Sequence, residues 1–148
     1  MPDFPIIDTH VHFWDKAEVP LSWNAGLAID RPYRPADLEA ERGPVTLDGI
    51  VFVETNVDGL QHLAEADFIT RLASDDPRIK AIVAHAPMNA PEVGSDLAAL
   101  AEKPLVRGIR HLIQGQDAEA LTSDPAFRDG LKRLPEHGFH FEICILHD

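Results

Sequence analysis

The chain has 148 residues, 45% of them hydrophobic and 26% charged, which suits one globular domain with a buried core and excludes wholesale disorder. Its 13 basic against 25 acidic residues give a net charge of -12, which argues against a nucleic-acid or anionic-membrane surface, since either needs a basic patch. Cys144 is the single cysteine, so there is no internal disulfide framework, and a reducing cytoplasm is the expected compartment.

The N-terminus, MPDFPIIDTHVHFWD, has no cationic stretch followed by a long apolar one, so no secretory signal is expected. No segment approaches the roughly 18 apolar residues that span a bilayer. The first strand-length apolar run is Phe4 to His12 and ends in Asp8-Thr9-His10-Val11-His12. Lys16 to Arg34, with two prolines and Trp23, reads as an irregular loop, and Pro35 to Arg42 as a helix. A second run covers Leu47 to Thr55. Asp58 then offers a cap to a helix whose Leu60, Ala64, Phe68 and Leu72 recur every four residues and which ends near Pro77. The third run is Ile79 to Ala86, and Ser95 precedes a shorter helix with Leu97, Leu100 and Ala101 on one face. The fourth run is Leu105 to Ile113. Ser123-Asp124-Pro125 starts a helix using Phe127, Leu131 and Leu134, which Gly138 stops before the fifth run, Phe139 to Ile145.

Continuous apolar runs alternating with helices imply βα units and a parallel α/β sheet covered by helices. An open doubly wound sheet of the flavodoxin type competes with a closed (β/α)8 barrel. An open nucleotide-binding sheet usually carries a Gly-rich turn after its first strand, whereas here that turn offers imidazoles. The barrel is therefore the expected architecture. A complete one takes eight strands and about 250 residues, so the expectation is a TIM barrel truncated to five βα units, with residues 1–148 as one domain.

Residues two apart on a strand share a face, so His10 and His12 project together from the strand end where barrel enzymes hold their active sites. Two neutral imidazoles so placed can bind one divalent metal. Glu54, His85 and His111 close the next three strands and Glu142 lies in the fifth. Glu54, His111 and Glu142 are the candidate catalytic groups, each weighed against a bland role as strand-end acid or core histidine. By alternation Glu54 shares a face with Ile50 and Phe52. Arg110 and His111 must point to opposite sides, and parity alone leaves open which one faces the barrel axis. His85 reads as structural, donating to a loop carbonyl, and Cys144 as a small buried hydrophobe. Trp14 and Trp23 read as packing residues, with Trp14 the candidate to cover a substrate at the barrel mouth.

DTHVHFWD, the strand end Val53-Glu54-Thr55 and the segment Gly108-Ile109-Arg110-His111-Leu112-Ile113-Gln114 together resemble the amidohydrolase-2 family. The resemblance is to its TIM-barrel hydrolase branch, which includes sugar lactonases and 2-pyrone-4,6-dicarboxylate lactonase. The tail Phe141 to Asp148 is similar to that family's fifth strand and the loop after it. The resemblance implies water-dependent opening of a sugar-acid or dicarboxylate lactone. It implies a divalent metal, zinc first among them, on His10 and His12, although some members of the branch work without metal and use the histidines on the substrate. It also implies a role for Arg110 in holding a substrate carboxylate, for which its planar fork is suited. The family's later histidine and aspartate have no counterpart here, so the 148 residues alone are expected to be inactive or nearly so. Two other readings are a decarboxylase or hydratase of the same superfamily and a non-catalytic domain that self-associates, as a homo-oligomer, to cover its open strand edges.

Overall fold

A computed structural model describes residues 4–146 of the chain. Five strands, β1 (Ile6–Val11), β2 (Leu47–Val53), β3 (Ile79–His85), β4 (Val106–Arg110) and β5 (His140–Glu142), form one sheet in the order β1-β2-β3-β4-β5. Every pairing is parallel. The connecting helices are α1 (Pro35–Glu41), α2 (His62–Asp75), α3 (Val93–Ala101), α4 (Ala118–Ser123) and α5 (Pro125–Arg133).

Strand order decides between the two architectures. A doubly wound sheet reverses direction at a switch point, whereas here each unit lays its strand beside the previous one, always on the same side. With right-handed crossovers this winding puts every helix on one face. The packing agrees. Ile50 and Phe52 of β2, Ile82 and Ala84 of β3 and Ile109 of β4 share a core with Phe68 and Ile69 of α2, Leu97 of α3 and Phe127 of α5. The opposite face is thinly covered: Ile7 is 58% exposed, and Gly49 sits between the side chains of Ile7 and Lys80. A flavodoxin-like sheet needs helices on both faces, so the molecule follows the (β/α)-barrel pattern over five units.

Local chemistry explains most element boundaries. Pro35 occupies the first turn of α1, and Asp37 accepts the Arg34 N–H at 2.8 Å. Asp124 caps α5 by accepting from the Ala126 N–H, with Pro125 next, and Gly138 ends the following turn at φ 71°, a left-handed conformation that glycine adopts without strain. Gly130 is needed where α5 crosses the β3–α3 segment, because a Cβ there would lie 2.1 Å from the Met88 carbonyl oxygen.

Several boundaries differ from the sequence reading. Asp58 does not cap α2: its carboxylate accepts the N–H and hydroxyl of Ser22 at 3.1 and 2.7 Å, the helix starts at His62, and Leu60 lies outside it, 74% exposed. Helix α3 begins at Val93, before Ser95. Helix α4 is additional, a short turn capped by Asp117. The fifth strand is confined to His140–Glu142, and the end of the tail, His147 and Asp148, lies outside the described residues. Among the described residues no helix is long and apolar enough to cross a membrane.

Candidate active site

The carboxyl ends of the strands converge on a cavity of about 640 Å³, whose walls include His10, His12, Trp14, Glu54 and Arg110. His10 and His12 come together as alternation requires, their rings edge-to-face with centroids 4.9 Å apart. The Nδ1 of His12 lies 2.8 Å from the carbonyl oxygen of Val53. A carbonyl can only accept, so Nδ1 carries the hydrogen and Nε2 is left with its lone pair. Burial, foremost, holds His12 below the ordinary imidazole range against the opposing bond to Val53, so the ring is neutral at pH 7.

Behind the histidines lies a buried ion pair. Glu54 is fully buried and Arg110 is 5% exposed. The Arg110 Nε donates to Glu54 Oε1 and its Nη2 to the Glu54 main-chain oxygen, both at 2.6 Å. The second carboxylate oxygen of Glu54 accepts the Asn56 N–H at 2.7 Å. Saturated bonding of this kind is what a buried pair needs to offset its desolvation. Nη1 is the part of Arg110 that remains toward the cavity, 3.6 Å from Glu142 Oε1 and 3.5 Å from His10 Nε2. Since arginine only donates, His10 accepts at Nε2 and turns its Nδ1–H to Glu142, 3.9 Å away.

The structure thus gathers His10, His12, Glu54, Arg110, Glu142 and Trp14, and it settles what parity left open. Arg110 takes the cavity face. His111 takes the helix face: its Nδ1 accepts the Met88 N–H at 3.1 Å, and its ring stands edge-on to Phe127 with centroids 5.5 Å apart. His111 is buried and does not line the cavity. His85 donates from Nδ1 to a main-chain carbonyl, that of Arg110 at 3.1 Å on β4 rather than one in a loop. Burial pushes its pKa down to about 4. Glu54 departs from the expected face: Ile50 and Phe52 join the helix-side core while Glu54 turns to the cavity. Strand β2 ends at Val53, alternation ends with it, and Thr55 takes the helix-side place.

Several wall residues carried little signal in the sequence. Trp23 reads there as packing, yet it stands in the wall beside Trp14, with ring centroids 6.2 Å apart. Both indole N–H groups donate to main-chain oxygens, Trp14 to Arg31 at 2.9 Å and Trp23 to Thr55 at 2.8 Å. Cys144 also reaches the wall, half-buried and unpaired. Behind the wall, Glu65 on α2 is 2% exposed and accepts from Thr55. Its signal was present: it shares the helical stripe of Phe68 and Leu72, where a carboxyl needs a buried partner.

The donor set does not fit a metal. Of the two histidines only His12 offers a free lone pair, because Nε2 of His10 faces the Arg110 guanidinium. A cation beside that atom opposes a second one. Among the described residues no three His, Cys, Asp or Glu side chains are arranged to hold a metal ion.

Comparison with known proteins agrees with the fold. The model of the family described as Amidohydrolase matches residues 7–147. An L-fucono-1,5-lactonase of Burkholderia ambifaria is 26% identical over 141 residues, which are 94% of this chain and 47% of that protein. A crystal structure of an amidohydrolase from Burkholderia multivorans with bound zinc superposes with a TM-score of 0.72 at 28% identity, over 97% of this chain and 50% of that one. A structure described as a probable 2-pyrone-4,6-dicarboxylic acid hydrolase from Acinetobacter baumannii, with citric acid bound, gives a TM-score of 0.63 at 17% identity, over 95% and 49%. At that identity it supports the fold alone. The chain spans about half the length of the curated relatives it matches.

Proposed function

Because the chain belongs to the amidohydrolase family, we propose that its cavity is the first half of a lactonase site, opening a neutral sugar lactone by histidine-assisted attack of water. The observation that carries this reading is the fixed tautomer of His12, which leaves a neutral Nε2 in the cavity wall beside a positioned guanidinium. Water attacks the lactone carbonyl carbon while His12 Nε2 takes its proton. The new C–O bond puts charge on the carbonyl oxygen, and Arg110 Nη1 donates to it. The tetrahedral centre collapses with cleavage of the ring C–O bond. The leaving oxygen takes the proton back from His12, and the product is the hydroxy acid. Glu54 holds Arg110 in place, and the Glu142 carboxylate stands 3.6 Å from Arg110 Nη1 and 3.9 Å from His10 Nδ1. His111, on the helix side, has no part in this scheme.

Charge selects between the two lactone classes. Glu54 and Glu142 face one guanidinium, and Arg110 is already bonded twice to Glu54. A dicarboxylate ring would meet surplus negative charge, whereas a neutral aldonolactone would not. The lactonase name of the 26%-identical relative supports the same class. No step is routed through a metal, since the donors do not fit one. Metal analysis of protein purified without a histidine tag tests this: stoichiometric zinc lost on His10→Ala would overturn it.

The deciding experiment follows acid release from L-fucono-1,5-lactone and from 2-pyrone-4,6-dicarboxylate. Where the half-site is completed, turnover of the first alone is expected, falling on the order of 10²–10⁴-fold in His12→Ala, the range of a general base. Equal turnover by His12→Ala would falsify the assignment.

A further inference from the structure

We infer that Glu65 is a positioning residue for the cavity wall: from the helix side of the β2–α2 turn it clamps Thr55, and through Thr55 it sets the Trp23 ring. Glu65 does not touch the cavity, and nothing in the scheme above uses it. Its Oε1 accepts both donors of Thr55, the N–H at 2.9 Å and the hydroxyl at 2.5 Å. The Thr55 carbonyl in turn accepts the indole N–H of Trp23 at 2.8 Å. Two further ties join the same loop to the same turn: Ser22 donates to Asp58, and the Asp58 N–H donates to the Pro20 oxygen at 3.0 Å. Of the groups in these ties, Glu65 is the one that belongs to a long helix and is itself buried.

The turn is held from both sides. Asn56 has φ 55°, a left-handed conformation that asparagine adopts more readily than most non-glycine residues. Glu54 takes the Asn56 N–H from the cavity side, and Glu65 takes Thr55 from the helix side. Thr55 is therefore held between two buried carboxyl groups, one leading to Arg110 and the other to α2. A leucine at position 65 would extend the Phe68 and Leu72 stripe without desolvating a carboxyl group. What the carboxyl group adds is the pair of bonds to Thr55. Both go to one oxygen, so the amide oxygen of a glutamine can replace it.

The chain has two tryptophans, and in a Trp14→Phe background Trp23 is the only indole, excited selectively at the red edge of the absorption band. The test compares its emission and acrylamide quenching in Trp14→Phe alone and combined with Glu65→Gln, Glu65→Leu or Thr55→Val, with far-UV circular dichroism checking the fold. Glu65→Gln is expected to leave Trp23 emission unchanged. Folded Glu65→Leu is expected to red-shift it and raise its quenching, and Thr55→Val, which loses only the hydroxyl donor, to do the same by less. A merely structural Glu65 would lower the melting temperature without moving Trp23 emission in the folded protein. Unchanged emission in folded Glu65→Leu overturns the inference. If that variant does not fold, unchanged emission in Thr55→Val overturns it. Neither outcome depends on which lactone, if any, is turned over.

Discussion

Two groups of histidines lie at the carboxyl end of this sheet under opposite conditions. His10 and His12 stand in the cavity beside Arg110 and Glu142, and the His10 side chain is 53% exposed. His62, His85 and His111 form a second row toward α2 and α5, with successive ring centroids 5.7 and 5.3 Å apart. There His62 lies 3.2 Å from Asp96 without an aligned hydrogen bond, and His111 packs on Phe127. The division runs between neighbours: Arg110 belongs to the first group and His111 to the second. An ionisable side chain at a barrel rim becomes available for chemistry or becomes packing according to the sheet face it takes, and one residue of register exchanges the two roles.

The sharpest break of the cavity group is Glu54→Leu. It leaves the Arg110 guanidinium buried without its carboxylate and is expected to cost roughly 3–5 kcal/mol in urea unfolding, most of it recovered in Glu54→Leu/Arg110→Met. A loss below about 1 kcal/mol would mean the pair is solvated, and the contrast between the two groups would fail.

Next comes pH. Burial lowers His85 to about 4, so it contributes stability that is present above its unfolded value, near 6.5, and lost as pH falls through about 4. Burial also acts, foremost, on His12 and His111 in the same direction. Glu65 does the reverse: burial raises it from 4.5 to about 7, so its contribution is full below pH 4.5 and lost as pH rises through about 7. Between pH 4.5 and 6.5 the two slopes oppose each other. Glu65→Gln removes one of them, and the variant should be less stable at pH 5 than at pH 7 by on the order of 2 kcal/mol. The parent should show a flatter profile. Urea titrations at both pH values decide it, and identical slopes in parent and variant would refute the opposition.

His111→Leu separates the groups more gently. It orphans the Met88 N–H and is expected to cost about 1–3 kcal/mol, while the proposed lactone turnover is expected to be unaffected in folded protein. The smallest effect on stability is that of His10→Gln, within about 0.5 kcal/mol because the side chain is exposed. Turnover should nevertheless fall. If His111→Leu reduced turnover more than His10→Gln did, the assignment of faces would be wrong.

Much of this was legible in the chain itself. Five apolar runs with interleaved helices point to a parallel βα sheet, because continuous apolar runs without a polar face suit parallel strands joined by crossover helices. The HxH spacing brings two imidazoles together through strand geometry, and Asp124-Pro125 and Gly138 mark the ends of α5 and of the turn after it by local chemistry. Where long-range partners compete, local signals were insufficient. Asp58 looks like a helix cap and serves Ser22 instead, 36 residues away. Trp23 looks like packing until the loop folds back on Thr55.

What the sequence by itself determined was therefore the kind of sheet, the strand end that carries the histidines and the resemblance to amidohydrolases, since each depends on residues close together along the chain. The tertiary structure decided that Arg110 rather than His111 faces the cavity, that Glu54 leaves the face of Ile50 and Phe52, and that the Nε2 of His10 meets a guanidinium. Those outcomes depend on where β2 stops, on which strand lies beside β4, and on the burial of Glu54 with Arg110, whose bonds cross 56 residues of chain. Spacing along a sequence carries no record of such partners, because desolvation and hydrogen bonding select them only once the sheet has formed.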